Sequence, residues 1–304
     1  MPRVLLIGAS GFLGRHVLTA LAAEPGMEMH TASRSAFGGG PGHVELDLGA
    51  AGTGRIGTLL AELAPNIVVN CSGATSGGAA ELAATNITGP GDLVAAMVRH
   101  VPWARLIHLG SAAEYGRTEI GLPISESAPA LPVGEYGLSK LAGTRLVMLG
   151  HAAGLDSLVL RVFNPIGPGA PAVSLPGRLV AELVRASAEG DEVRLGPLDS
   201  VRDFVDARDV ARAVGAAISG PPQDEAVLNV GGGRGISVRE IVDGLVRISG
   251  FAGRIVESSE GSSRSAAVPW QQADISAIDK RLSWQPEFEL ATSLHDLWQE
   301  STWR

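Results

Sequence analysis

The sequence predicts an α/β fold with a doubly wound parallel sheet and a smaller, mixed α/β cap. Three observations predict it. Short apolar runs alternate with helical patterns through the first half, a glycine-rich turn follows the first run, and the second half is rich in loops. Strands separated by helices require right-handed crossovers, which give a parallel sheet covered on both faces.

Six strands are predicted in the first half, in the order of the apolar runs. They are 3–7, 27–32, 43–46, 66–70, 105–109 and 158–162. A helix is predicted to follow the glycine turn 8–14 and to continue through about 23, and further helical patterns are predicted at 59–63, 86–100 and 135–150.

The composition of the chain changes after Asn164, where prolines and glycines indicate a stretch rich in loops. Four prolines between 165 and 176 exclude a long helix there, and shorter helices are predicted near 179–188, 207–219 and 238–249. The length of 304 residues is enough for about two domains. We expect one domain over 1–164, to which 205–228 returns, and a cap formed by 165–204 and 229–304.

Composition and charge exclude several classes of protein. Apolar residues make up 45% and charged residues 18% of the chain, which excludes a disordered protein. No apolar run reaches the ~18 residues of a membrane span, and the N-terminal segment lacks a signal-peptide cleavage site. The net charge of −8, with no basic run, argues against nucleic-acid binding. The single Cys71 fits a reducing compartment, so we expect a cytoplasmic location.

A glycine-rich turn between the first strand and first helix predicts dinucleotide binding on a Rossmann-type domain. The glycines permit a tight turn and close approach to a pyrophosphate, and the helix N-terminus offers free N–H groups. The predicted phosphate contacts are Gly8, Ser10, Gly11, Phe12, Leu13 and Gly14.

The end of the second strand indicates which dinucleotide is bound. An NAD site typically has a carboxylate there, whereas this chain has Ser33 and Arg34. Because a guanidinium suits a 2′-phosphate, NADP(H) is preferred and NAD(H) is the alternative. An alternative interpretation is that Arg34 is a solvated loop residue that stacks on the adenine and selects neither cofactor. Asp47 is predicted either to meet the adenine or to cap a helix. Further cofactor contacts are predicted at Leu48 and Cys71.

The segment from Tyr136 to Lys140 predicts the reacting group. Residues four apart lie on one face of a helix, so the ammonium is close enough to favour the ionised phenol. Tyr136 would then exchange a proton with a substrate oxygen as hydride is transferred. Ser111, which follows the fifth predicted strand, is placed to hydrogen-bond the same oxygen.

Together these motifs and the segment 161–169 resemble the extended short-chain dehydrogenase/reductases, in particular their nucleotide-sugar branch. The resemblance implies catalytic roles for Ser111, Tyr136 and Lys140, with Lys140 also holding the nicotinamide ribose. It implies that Asn86 organises a proton relay. Relatives commonly dimerise through the helices at 86–100 and 135–150, which suggests a homodimer.

The resemblance also implies contacts with a nucleotide-diphosphate sugar as the small-molecule partner. Guanidinium forks suit phosphate oxygens. The implied substrate contacts are Ser111, Ala112, Asn164, Arg202 and Arg264. The family's Arg-x-Gly-Asp run differs here, since Arg264 is followed by Ser265, Ala266 and Ala267.

Departures from the family indicate the reaction. Ala112 and Ala113 replace the Asp-Glu pair of sugar dehydratases and cannot transfer protons, which argues against a dehydratase. The leading hypothesis is NADP(H)-dependent reduction of a 4-keto-6-deoxy nucleotide sugar. The alternatives are a 4-epimerase, a reductase of another carbonyl, and a non-catalytic NADP sensor. His108 and His151 are assigned no role.

Overall fold

A computed structural model describes residues 1–35, 42–222, 226–257 and 268–302. The helices are α1 Phe12–Ala23, α2 Leu48–Leu63, α3 Ala79–Ala83, α4 Gly89–His100, α5 Glu135–Ala152, α6 Leu175–Glu189, α7 Ala207–Ser219, α8 Val238–Ser249, α9 Ser276–Leu282 and α10 Leu290–Thr302. The strands are β1 Arg3–Ile7, β2 Glu28–Ser33, β3 His43–Glu45, β4 Ile67–Asn70, β5 Arg105–Ser111, β6 Ser157–Val162, β7 Pro165–Ile166, β8 Val193–Leu195, β9 Val201–Asp203, β10 Val205–Asp206, β11 Val227–Val230, β12 Gly235–Ser237 and β13 Ile255–Glu257. None of the helices in these ranges has the length and apolar character that crossing a membrane requires.

Seven strands form one parallel sheet in the order β11-β6-β5-β4-β1-β2-β3. This confirms the predicted doubly wound fold. The winding direction reverses between β1 and β4, so the crevice at their carboxyl ends is the place where such folds bind ligands. Each of the six predicted strands lies within two residues of its expected limits, and β5 extends through Ser111.

Helices cover both faces of the sheet because successive strand residues point to opposite sides. On one face, Leu6 and Val69 pack into a core that includes Val17 of α1 and Val214 of α7. On the other, a second core packs under α2, α4 and α5. The sheet is therefore buried on both sides, as its continuous apolar strands predict.

The helix predicted at 86–100 is broken into distinct segments. A π-helical turn over Ala84–Thr88 joins α3 to α4, and Asn86 lies inside that turn. The prediction that 86–100 is helical is confirmed, but its first residues form a π-helical turn, since a local wide turn has no signature in apolar spacing. Such turns often occur at functional sites.

The second half contributes a third core and short strand pairs. β7 pairs with β10, β9 with β12 and β8 with β13. Leu183 of α6, Ile241 of α8 and Leu297 of α10 meet in a buried apolar cluster. The last two helices of the described chain were not predicted from the sequence.

Three buried aspartates tie later segments to the stretch between β9 and α7. Asp203 accepts the N–H groups of Gly233 and Ala273 at 3.0 and 2.9 Å. Asp206 accepts the Ser293 hydroxyl at 2.6 Å. Asp209 accepts the N–H groups of residues 287 and 288, both at 3.0 Å. All three side chains are buried, so these bonds are shielded from water.

Replacing Trp284 tests the packing of the C-terminal segment. Its indole is buried in the core beside α7 and donates to the Asp209 carbonyl at 3.1 Å. We expect Trp284→Ala to lower the free energy of unfolding by about 3–5 kcal/mol, measured by urea denaturation. Trp103, which is 61% exposed, is the control, and Trp103→Ala should change the value by no more than about 0.5 kcal/mol. Equal effects of the two substitutions would contradict this account.

Candidate active site

The predicted phosphate turn lies between β1 and α1 and is closely packed. Gly8 has a φ of +80°, and a Cβ there would lie 2.6 Å from the Ser72 nitrogen. A Cβ on Gly14 would lie 2.0 Å from the Gly8 carbonyl oxygen. At the N-cap, Gly11 offers no side chain to the first turn of α1. The first N–H groups of that helix are thus available to an anion. Positions 8 and 14 require glycine because no side chain fits there.

The predicted cofactor residues at the ends of β2 and β3 differ in their exposure to solvent. Arg34 is exposed at the end of β2, while Ser33 is buried and donates to the Ser35 carbonyl at 2.8 Å. Asp47 caps α2 by accepting the Gly49 N–H at 3.1 Å, which is one of its two predicted roles. Leu48 is buried in the core beneath the sheet. Cofactor contacts at these four positions stay predictions.

The end of β4 lies next to the glycine turn and to the π-helical turn. Cys71 donates its N–H to the Ile7 carbonyl at 2.9 Å, which joins β4 to the end of β1. The Asn86 amide accepts the Ala74 N–H at 2.9 Å and donates to the Ser139 hydroxyl at 2.9 Å. Asn86 therefore connects the loop after β4 to the helix that carries Tyr136.

Lys140 is buried at the carboxyl end of the sheet. Its Nζ donates to the Leu109 carbonyl at 2.6 Å, and a Cβ on Gly73 would lie 3.8 Å from it. Burial lowers the pKa of Lys140, whereas the negative charge of Glu114 acts in the opposite direction. The ammonium thus lies between the loop after β4 and the end of β5, close to the switch point.

Ser111 and Tyr136 lie on neighbouring segments. Ser111 caps a 3-10 turn over Ala112–Glu114, and its Oγ accepts the Ala113 N–H at 3.2 Å. A Cβ on Gly137 would lie 2.4 Å from the Ala113 carbonyl oxygen, so the start of α5 packs directly on this turn. Tyr136 is partly exposed there. The fold thus brings together the segments carrying Ser111, Tyr136, Lys140 and Asn86.

A buried ion pair beneath Ser111 was not predicted from the sequence. Glu114 is fully buried and accepts from the Arg161 Nε at 2.8 Å. The Arg161 guanidinium also lies 4.6 Å from the centre of the Tyr115 ring, and the Tyr115 hydroxyl donates to Asn229 at 2.7 Å. A weak signal for it is present in the sequence, because a glutamate lies three residues after a capping serine. Its partner lies 47 residues away.

His108 lies in the strand that carries Ser111 but is buried below the site. Its Nδ1 is 3.1 Å from the Asn70 Nδ2, and Asn70 in turn accepts the Ser72 hydroxyl at 2.6 Å. Because that amide nitrogen donates, the His108 Nδ1 is the acceptor. Burial, reinforced by the Lys140 ammonium, lowers the pKa of His108 well below its usual value. The imidazole is therefore neutral near pH 7.

The predicted substrate residues are only partly brought together. Asn164 and Arg202 lie on adjacent segments, since the Asn164 amide donates to the Asp203 carbonyl at 2.7 Å. Arg202 is partly buried, donates to the Val201 carbonyl at 2.8 Å, and pairs with no carboxylate among the described residues. Arg264 lies outside the described residues.

Comparison with known proteins found a matching family model and several similar proteins. A model of the NAD-dependent epimerase/dehydratase family matches residues 4–231. A dTDP-6-deoxy-L-talose 4-dehydrogenase (NAD(P)(+)) from Kitasatospora kifunensis is 34% identical, covering 97% of this chain and 94% of that protein. A UDP-glucose 4-epimerase from Streptomyces lividans is 31% identical, covering 70% and 67%. The structure of RMD from Pseudomonas aeruginosa complexed with NADPH aligns with a TM-score of 0.85 and 25% identity, covering 99% of this chain and 100% of that one.

The reactivity of Cys71 tests the electrostatics of the site. Burial raises the pKa of its thiol to about 12, and Lys140 offsets this only in part. At pH 8 about one thiol in ten thousand would be ionised, so we expect the folded protein to resist Ellman's reagent. The protein unfolded in guanidinium should release one equivalent of chromophore. Rapid stoichiometric labelling of the folded protein would contradict the predicted environment.

Proposed function

The chain belongs to the NAD-dependent epimerase/dehydratase family, of the extended short-chain dehydrogenase/reductase type, and we propose that it is an NADPH-dependent ketoreductase. The substrate we propose is a 4-keto-6-deoxyhexose carried on a nucleoside diphosphate. The observation that supports the proposal is the junction of β5 and α5, where the segments that carry Ser111, Tyr136 and the buried Lys140 pack together at the carboxyl end of the sheet.

The residues at the glycine turn fit a dinucleotide. Gly8 and Gly14 leave no space for side chains, and the uncapped N-terminus of α1 suits a pyrophosphate. Arg34 stands exposed at the end of β2, where a carboxylate would favour NAD. We infer that Arg34 binds the 2′-phosphate of NADPH, and that Lys140 holds the nicotinamide ribose. The NADPH complex of the similar Pseudomonas aeruginosa protein supports this choice.

A reduced nicotinamide, when bound, would supply the hydride that reduces the carbonyl carbon. Tyr136 then gives its phenolic proton to the carbonyl oxygen, which becomes the hydroxyl of the product. The Ser111 Oγ accepts the Ala113 N–H and keeps its own hydrogen to donate, so in this proposal it stabilises charge developing on that oxygen. Lys140 lies one helical turn from Tyr136 and favours the phenolate that remains.

The second half of the chain supplies the substrate contacts in this proposal. Arg202 is a partly buried guanidinium without a carboxylate partner in the described chain, and burial lowers its pKa. A charge in that state is stabilised by an anion such as a diphosphate. Asn164 lies beside it, and Arg264 is proposed as a second phosphate ligand. We propose accordingly that 1–164 with 205–228 binds the cofactor, and that 165–204 with 229–304 binds the sugar nucleotide.

A 4-epimerase remains the second candidate, because it would use the same three side chains. The similarity to the Streptomyces lividans epimerase favours it, whereas the 6-deoxytalose dehydrogenase covers more of this chain at higher identity. The exposed Arg34 also favours a reductase, since reduction consumes NADPH. We infer that the enzyme works in a reducing cytoplasm, as its single cysteine indicates, and that it forms a homodimer.

Cofactor stoichiometry and Tyr136→Phe test the proposed reaction together. Incubated with a dTDP-4-keto-6-deoxyhexose, the protein should oxidise one NADPH per sugar, followed at 340 nm. Tyr136→Phe should lower kcat at least about a hundredfold because the proton donor is lost. Its affinity for NADPH, measured by fluorescence titration, should stay unchanged. Conversion of a nucleotide sugar to its 4-epimer without net NADPH oxidation would replace this proposal with the epimerase.

Arg34→Gln tests the cofactor. Hydrogen bonds to charged groups contribute about 1.5–3 kcal/mol, so the affinity for NADPH should fall by about tenfold or more. The affinity for NADH should change little, because it lacks the 2′-phosphate. Arg99, exposed on α4, is a control whose replacement by Gln should alter neither affinity. An unchanged preference for NADPH in Arg34→Gln would show that another group reads the phosphate.

A further inference from the structure

One buried carboxylate joins the two elements that carry the reacting side chains, β5 and α5, to the neighbouring strand β6. The Glu114 Oε1 accepts the Ser111 N–H at 2.8 Å and the Thr144 hydroxyl at 2.9 Å. Its Oε2 accepts the Arg161 Nε at 2.8 Å. Ser111 ends β5, Thr144 belongs to α5, and Arg161 belongs to β6. The carboxylate is fully buried, so water does not compete for these bonds.

The bond to Thr144 matters because of where Thr144 lies on its helix. Residues four apart share a helix face, so Thr144 and Lys140 both face the carboxyl end of β5. Glu114 therefore bonds at the same time to the backbone of Ser111 and to the face of α5 that presents Lys140. A shift of the serine turn against the helix would break one of these two bonds.

Glu114 is also the source of negative charge at Lys140. In the described part of the chain, Glu114, Cys71 and His108 interact electrostatically with this lysine. Burial raises the pKa of Cys71 to about 12, so it is an uncharged thiol near pH 7, and His108 is neutral as described above. Tyr136 lies one turn earlier on the same helix. Arg161 also bonds to Glu114, where it partly offsets the carboxylate charge.

We propose that Glu114 is a positioning residue, whose buried carboxylate fixes the Ser111 turn against α5 and keeps the Lys140 ammonium protonated. This inference rests on the proposed function for its consequence in catalysis. Its two physical parts, the bonds and the charge, exist without any substrate.

The charge can be measured directly because the chain contains two lysines, Lys140 and Lys280. Protein labelled selectively with lysine carrying ¹³C at Cε would give two signals whose shifts follow amine ionisation, and Lys280→Arg would assign them. In Glu114→Gln, the pKa of Lys140 should fall by about one unit or more, since the opposite charge that favours the ammonium is removed. The Lys280 signal should titrate unchanged. An unchanged titration of Lys140 in this variant would overturn the proposal.

Two further variants separate charge from bonding and guard against misfolding. Thr144→Val removes one bond to Glu114 but keeps its charge, so the pKa of Lys140 should stay within about 0.3 unit of its original value. If Glu114→Gln does not fold because Arg161 is left unpaired, Arg161→Met is added, since replacing both partners of a buried pair is tolerated far better. The double variant should still show the lowered pKa of Lys140, and an unchanged value would again overturn the proposal.

Kinetics test the positioning role and distinguish it from a structural one. In a folded Glu114→Gln protein we expect kcat to fall at least about tenfold while KM changes less than about threefold, with the basic limb of the pH–rate profile moved to lower pH. A kcat within twofold of the original would overturn the positioning role. If the original protein turns over no keto nucleotide sugar, the proposed function fails, but the lysine titration still decides whether Glu114 sets the charge of Lys140.

Discussion

The arrangement of the site depends on burying one lysine ammonium at the carboxyl end of a parallel sheet. A buried charge is costly unless bonds and an opposite charge compensate it. Here the Leu109 carbonyl accepts from Nζ at 2.6 Å, and Glu114 supplies the negative charge. The surrounding groups are consistent with this requirement. Cys71 and His108 are held in uncharged forms, so neither adds a second charge beside the ammonium.

Close contact between backbones places the site, and glycine makes that contact possible. Gly8, Gly14 and Gly137 each lie where a Cβ would come within 2.6 Å of a backbone atom of a neighbouring segment. The first two bring α1 to the ends of β1 and β4, and the third brings α5 onto the turn after β5. A site formed by the ends of three strands needs these approaches, because side chains at such points would separate the elements.

Sequence patterns within single segments predicted the first half of the fold well. They could not predict contacts between residues that lie far apart in the sequence. The apolar run 3–7 is β1 as predicted, and the motif residues Gly14, Ser111 and Lys140 lie in α1, at the end of β5 and in α5. These features depend on spacing within one segment. The pairing of Glu114 with Arg161 depends on which strands are adjacent, and a lone glutamate in a sequence has the pattern of a surface residue.

The same reasoning explains why the second half was harder to predict, although its sequence contained the relevant residues. Asp203, Asp206 and Asp209 are spaced by three, a pattern that suggests an acidic surface, and all three are buried. Each is stabilised by donors from a different later segment, at 232–233 and 273, at 293, and at 287–288. Those donors are mostly backbone N–H groups, which carry no sequence signal.

Because Asp203 follows Arg202 directly, the segment that we propose meets the diphosphate is fixed by the same bonds that hold the C-terminal part of the chain. Folding of the second half therefore depends on one short, buried, acidic stretch, and the substrate binding that we propose at Arg202 would depend on it as well.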